Sequence, residues 1–260
     1  MKICTLYSGS SGNAIFVSAG GANILIDAGK NAKKLCASLD EIGYSPADID
    51  AIFITHEHLD HTSALEVFLK KYHVPVHITE ISAKRLLSLG QPQFADNFIL
   101  HPPLFCETVK GLTVSSFPTP HDSDYCVGYH ISFEENGKCV NVGFATDVGY
   151  VTDEVMLGLV GCESVIIEAN HDVEMLKHGR YPRELKNRIL SKRGHLSNSD
   201  CAMLAARLAQ SGTKNIMLAH LSEENNEPTI AYDEVSATLG DPSVNIAVAD
   251  QFSITTLVEE

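Results

Sequence analysis

IFITHEHLDHT, residues 52–62, is the stretch on which the fold of this chain turns. Its first part, together with Ala51, is a short run apolar on both faces, the mark of a strand buried inside a layered fold. Its second part places His56, His58, Asp60 and His61 within six positions, using three of the chain's twelve histidines. Imidazoles crowded beside one another repel when protonated, so such a cluster persists where something offsets that cost. A bound cation does so, because neutral imidazole and ionised carboxylate are both metal ligands. His56 and His58 lie two apart in extended chain and point to one side. Asp60 and His61 are adjacent where the next helix begins and splay in another direction, with Thr62 as the expected helix cap. Two ions, each served by one half of the motif, fit this pattern better than one.

Each ion then needs partners from elsewhere in the chain. Four candidates follow apolar β-like runs: Asp27 after NILI, His121 in SFPTPHD, Asp147 in GFATD and His220 in NIMLAH. A lone histidine at a strand end is most often a satisfied structural residue. Repeated delivery of such groups from strand ends is the pattern of a shared cleft.

The bulk composition suits an ordinary globular domain, with 260 residues, 44% hydrophobic and no tryptophan. No apolar run approaches the ~20 residues a membrane helix needs. The start, MKICTLYSGSSGN, turns polar at once and does not read as a secretory signal. Seven cysteines with no CxxC pair argue for reduced thiols in a cytoplasmic protein. A net charge of −14 argues against broad electrostatic binding of nucleic acid. Against that average, Lys177, Arg180, Arg183, Lys186, Arg188, Lys192 and Arg193 fall within seventeen positions beside one acid, Glu184. This strip reads equally well as a solvated helix face or as an anion-binding surface.

Short β-like runs alternate with helical ones. KICTLY, AIFVSA and NILIDA come first, separated by the turn signals SGSSGN and GG. The middle is β-rich, with a hairpin signal at EENGK between CVGYHISF and CVNVGFAT. The second half returns to alternation. Strands in both halves with helices outside predict two mixed sheets packed face to face, an α/β fold of αββα type in a single domain, 1–260.

HxHxDH, preceded by an Asp after a strand and followed by His, Asp and His at strand ends, resembles the metallo-β-lactamase superfamily. SGSSGN, LIDAG, TPHD, TDVGYV, EANHD and GHLSN resemble, more narrowly, its YycJ/WalJ-type branch, associated with phosphodiesterase or DNA exonuclease activity. The resemblance implies that His56, His58 and His121 hold one ion, that Asp60, His61 and His220 hold the other, and that Asp147 bridges them. Asp27 then orients the His-rich loop through hydrogen bonds without ligating. The all-nitrogen and oxygen ligand set suits two divalent ions, Zn or Mn, with Fe also compatible. Asp147 stands where many zinc β-lactamases carry Cys, which argues against lactam hydrolysis. His58 stands where flavodiiron oxygen reductases have Glu. Only 73 positions separate Asp147 from His220, too few for the inserted domain of β-CASP nucleases.

The chemistry expected of such a site is phosphodiester hydrolysis by a metal-bridging hydroxide, oriented by Asp60. His195, in RGHLSNSD, is the expected general acid, since it resembles the histidine preceding the last ligand in phosphodiesterase members. Ser197 and Asn198 open a helix whose free amides suit a phosphate, and His171 and Arg180 are further candidate substrate contacts. The expected function is hydrolysis of nucleic acid, as a DNA exonuclease. The alternative is hydrolysis of a small ester, thioester or cyclic phosphate by the same metals.

Overall fold

The computed structural model describes residues 1–88 and 92–259, with side chains left aside at 92–94. The first half of the chain forms β1 (Lys2–Tyr7), β2 (Ala14–Ala19), β3 (Ala22–Ile26), α1 (Ala32–Glu41), β4 (Ala51–Phe53), α2 (Leu59–Thr62), α3 (Leu65–Tyr72), β5 (Val76–Thr79), α4 (Glu80–Ser88) and β6 (Phe98–His101). The second half adds β7 (Cys106–Val109), β8 (Leu112–Thr119), β9 (Cys126–Glu135), β10 (Lys138–Ala145), α5 (Asp153–Leu159), β11 (Ser164–Glu168), α6 (Val173–His178), α7 (Arg183–Ile189), α8 (Asn198–Gln210), β12 (Asn215–Ala219), α9 (Pro228–Leu239), β13 (Asn245–Val248) and β14 (Thr255–Glu259).

The strands assemble into two seven-stranded sheets, ordered β14-β1-β2-β3-β4-β5-β6 and β13-β12-β11-β10-β9-β8-β7. Strand alternation explains why they stack. In β3, Ile24 and Ile26 face the space between the sheets, while Leu25 faces the layer of α1 and α3. In β11, Ile166 faces the inter-sheet core and Val165 and Ile167 face the layer of α5, α8 and α9. A strand apolar on both faces must be covered on both, so two such sheets give three apolar layers and the αββα sandwich predicted from the sequence.

Topology then fixes where the site lies. β3 and β4 are parallel, as are β10, β11 and β12, and two successive antiparallel pairings make β8 run with β10. Within each sheet these strands therefore end at the same edge, which is where the sequence put its candidate ligands. Some local details differ from expectation. Thr62 ends α2 rather than capping a helix, its hydroxyl donating to the His58 carbonyl at 3.0 Å. The short elements β6, β7, α5 and α6 carry too little periodicity to be read from sequence.

Candidate metal centre and active site

Asp27, Asp147 and His220 follow β3, β10 and β12, and all three adopt left-handed backbone, with φ of 64°, 57° and 58°. Such a conformation costs a non-glycine residue about 1–3 kcal/mol and persists only where the surroundings impose it. Here it turns each side chain away from its strand and into one cleft. Gly29 allows a further close approach. A Cβ there would lie 1.9 Å from the Asp60 carbonyl, so only glycine lets the LIDAG segment press against the His-rich loop.

On the side of the first sheet, the buried Asp27 carboxylate accepts the Thr55 amide at 2.8 Å and the His61 Nδ1 proton at 2.7 Å. The Thr55 hydroxyl donates to the same carboxylate and lies 3.0 Å from His56 Nδ1. Both rings are thereby fixed with their Nδ1 protons engaged, which leaves each Nε2 as a bare lone pair. Asn13, from the SGSSGN turn, adds its side-chain amide 3.4 Å from Asp60 and 3.2 Å from His61 Nε2.

On the side of the second sheet, Glu168 plays the corresponding part, and the sequence reading missed it. It is fully buried at the end of β11 and accepts four hydrogen bonds: His195 Nδ1 at 2.8 Å, His220 Nδ1 at 2.7 Å, and the amides of Val148 at 2.8 Å and Leu196 at 3.0 Å. The available signal was the motif EANHD itself, since an all-apolar strand that ends in an acid must supply donors for it. Burial pushes the Glu168 carboxyl up, but His195 and His220 outweigh it and hold the group down at about 2. In return, Glu168 raises His195 above the ordinary histidine value against the opposing effect of burial.

Among the described residues, the inner atoms of this cluster have no hydrogen-bond partner. His56 Nε2, His220 Nε2 and Asp147 Oδ2 are buried and make no hydrogen bond. His61 Nε2 sits 3.3 Å from both Asp60 Oδ2 and Asp147 Oδ2. A bare lone pair facing two carboxylates is repulsive, so the arrangement requires positive charge, either a proton or a metal cation. Burial lowers His61, but Asp147, Asp60 and Asp27 overcome it and hold the ring well above its ordinary value. His220 is likewise carried up to about 10, with burial outweighed by Asp147, Asp60 and Glu168. His56, by contrast, is pushed well down by burial and by the neighbouring His61, His121 and His58.

Donor atoms of His56, His58 and His121 lie within 4.8 Å of one another, as do those of Asp60, His61 and His220. Asp147 lies between these groups, Oδ1 3.6 Å from His121 Nε2 and Oδ2 3.3 Å from His61 Nε2. A nitrogen and oxygen donor set with orphaned inner atoms suits divalent metal. His77, His101 and Glu107, on β5, β6 and β7, form a separate group. There, His77 Nδ1 and His101 Nε2 are 2.9 Å apart in near-parallel rings, 13° from coplanar, and bond each other directly.

The cleft over the cluster is lined by Ser10, Asp60, Asp122, Tyr181, Arg188 and His195 among others. His195 therefore faces the cluster. Ser197, Asn198, His171 and Arg180 are not in that lining. The Ser197 hydroxyl accepts the Asp200 amide, and Asn198 is taken up in a reciprocal pair with Asn226 at 2.9 and 2.8 Å. His171 is buried with neither ring nitrogen bonded among the described residues, and Arg180 is exposed. The basic strip is likewise divided. Lys186 donates to the carbonyls of Lys177 and Gly179, Arg188 pairs with Asp122, and Arg193 donates to the carbonyls of His121 and Ser123. These three cations hold local structure and the His121 loop.

Residues 22–221 match the family model of the β-lactamase superfamily domain. The chain is 34% identical over 249 residues to exodeoxyribonuclease YycJ of Bacillus anthracis, covering 96% of this chain and 93% of that protein. It is 36% identical over 251 residues to exodeoxyribonuclease WalJ of Streptococcus pneumoniae, covering 95% and 91%. A diphosphatase from the PhnP family superposes with a TM-score of 0.69 at 17% identity, over 100% of this chain and 98% of that one. With that fold and a buried His/Asp cluster at the strand ends, the chain belongs to the metallo-β-lactamase superfamily of metal-dependent hydrolases, in its YycJ/WalJ-type branch.

Proposed function

We propose that this hydrolase is a dinuclear DNA exonuclease. The observation that carries the reading is the convergence, in one cleft, of two His/Asp donor groups and a histidine, His195, anchored on a buried carboxylate. The named activity of the YycJ and WalJ relatives, aligned over more than nine-tenths of each chain, supports DNA as the polymer. His56, His58 and His121 would hold one cation, Asp60, His61 and His220 the other, with Asp147 between them. Cations bound there would supply Lewis-acid polarisation of a phosphodiester and acidified water.

The remaining steps belong to the chain's own side chains. Asp27 and Thr55 fix the rings of His61 and His56, so that ligand geometry is set before substrate arrives. Asp60, partly open to the cleft, orients the attacking water. Glu168 favours the charged form of the His195 ring, whose Nε2 would hand a proton to the departing sugar oxygen. Asp27 and Glu168 stay outside the ligand set.

The direct test is a gel time course of Mn²⁺- or Zn²⁺-loaded protein on end-labelled single- and double-stranded DNA and RNA, beside His220→Ala. Progressive shortening of DNA that disappears in the variant supports the reading. Turnover of bis(p-nitrophenyl) phosphate without cleavage of any polymer overturns it in favour of a small phosphodiester. The internal use of Lys186, Arg188 and Arg193 is the observation that favours this second reading.

A further inference from the structure

A second groove adjoins the active cleft, and His121 lines both. Pro120, Tyr125, Tyr150, Lys192 and Arg193 form its walls. Three contacts fuse it to the site. The Gly149 amide donates to the Pro120 carbonyl at 2.7 Å, Arg193 Nε donates to the His121 carbonyl at 2.9 Å, and Arg193 Nη2 donates to the Ser123 carbonyl at 2.8 Å. A Cβ on Gly149 would lie 2.3 Å from the Lys192 carbonyl, so the segment carrying Asp147 and Tyr150 is pressed onto the backbone of Lys192. The groove is thus built from the same loops that deliver Asp147 and His121.

Its chemistry differs from that of the metal cleft. Tyr150 is 43% exposed and Tyr125 half-buried, so each offers part of an aromatic face. Lys192 Nζ stands over the Tyr150 ring, 5.5 Å from its centroid, and among the described residues has no carboxylate partner. The lining carries two cations, Lys192 and Arg193, against one carboxylate, Asp124. In a chain of net charge −14 this is a local reversal of sign beside the reacting centre. Aromatic faces beside a cation that no carboxylate neutralises are what an unpaired nucleotide recognises, the base stacking and the phosphate meeting the charge.

Resting on the nuclease reading above, we propose that this groove binds an unpaired nucleotide of a single-stranded DNA segment adjoining the scissile phosphate, its base against Tyr150 and its phosphate on Lys192.

The test compares wild type, Tyr150→Ala, Tyr150→Phe and Lys192→Ala on an end-labelled single-stranded DNA oligonucleotide and on bis(p-nitrophenyl) phosphate. Tyr150→Ala should raise KM for the oligonucleotide about tenfold or more, with Tyr150→Phe near wild type, since a base stack is worth roughly that factor. Lys192→Ala should reduce the salt dependence of log KM by about 0.7, one phosphate contact on a single strand. All three variants should keep wild-type turnover of the small substrate, which also reports that they fold. Wild type that shortens DNA while both alanine variants retain its KM and salt slope overturns the groove alone. Wild type that turns over the small substrate and no oligonucleotide overturns the nuclease reading, and the groove with it.

Discussion

Asp27 and Glu168 occupy matching places in the two sheets. Each is a buried carboxylate at a strand end, each fixes a cluster histidine through Nδ1 at 2.7 Å, and each lies outside the two donor groups proposed above to hold metal, although Glu168 also lies within 4.8 Å of donor atoms of Asp147, His195 and His220. They differ in how much they tie together. Asp27 serves the loop after β4 alone, through Thr55 and His61. Glu168 joins three segments: the one after β10 through Val148, the one before α8 through His195 and Leu196, and the one after β12 through His220. The first carboxylate orients a motif already contiguous in sequence, whereas the second assembles a half-site from pieces far apart in the chain.

That asymmetry predicts unequal losses. Outer partners of metal-bound histidines are typically worth 10–100-fold in affinity or activity. Glu168→Ala should fall at the upper end, about 100-fold or more in turnover of bis(p-nitrophenyl) phosphate, with reduced bound metal by elemental analysis. It also strands two buried amides, at about 1–3 kcal/mol each. Asp27→Ala should lose nearer tenfold, because Thr55 and Asn13 still brace the His-rich loop. Equal losses, or a larger one for Asp27→Ala, would break the comparison.

His195 sharpens it, since Glu168 supports a histidine with a different task from His220. His195→Ala should slow substrates with poor leaving groups by about 100-fold, the lower range for a general acid. Bis(p-nitrophenyl) phosphate, whose leaving group needs no proton, should change only a few-fold. Elemental analysis should find metal content unchanged, in contrast to Glu168→Ala. A uniform loss on both substrates would remove His195 as proton donor and leave it a positioning residue.

The same contrast explains what the sequence disclosed. HxHxDH is contiguous, so its meaning survives without a structure, and strand-like runs alternating with helical ones in both halves made the layered fold readable. Asp27, His121, Asp147 and His220 were visible because each is a metal-competent residue immediately after an apolar run. Glu168 was passed over although it ends such a run, because a single glutamate ordinarily ends a strand by reaching water. Its meaning comes from donors 20 to 52 positions away. Charge counting alone could not divide the basic strip, for a related reason. The strip from 177 to 193 looks uniform in sequence, but Lys186 and Arg193 are taken up by backbone carbonyls that only the fold brings near. Asn13 sits in the SGSSGN turn, and its approach to Asp60 and His61, 47 and 48 positions away, exists only once the chain folds.

His77 and His101 extend the comparison to buried histidines that, among the described residues, have no orienting carboxylate bonded to them. They bond each other, and burial, followed by the neighbouring His101, pushes His77 down to about 4, while burial also lowers His101. Between the ordinary histidine value near 6.5 and about 4, the unfolded chain takes up protons that the folded pair refuses. Protonation therefore favours unfolding: this contribution is fully present above pH 6.5 and is lost as pH falls toward 4. The variant His77→Gln/His101→Gln keeps hydrogen-bonding groups at both positions and removes both titrations. Its Tm should fall less steeply than wild type between pH 6.5 and 4.5, a difference of about 2–4 °C for each kcal/mol of linkage removed. Both proteins carry the same His/Asp cluster, so acid loss of metal contributes equally and cancels in the difference. Parallel Tm curves would mean that the pair does not resist protonation, and that a buried histidine pair needs no carboxylate to stay stable in acid.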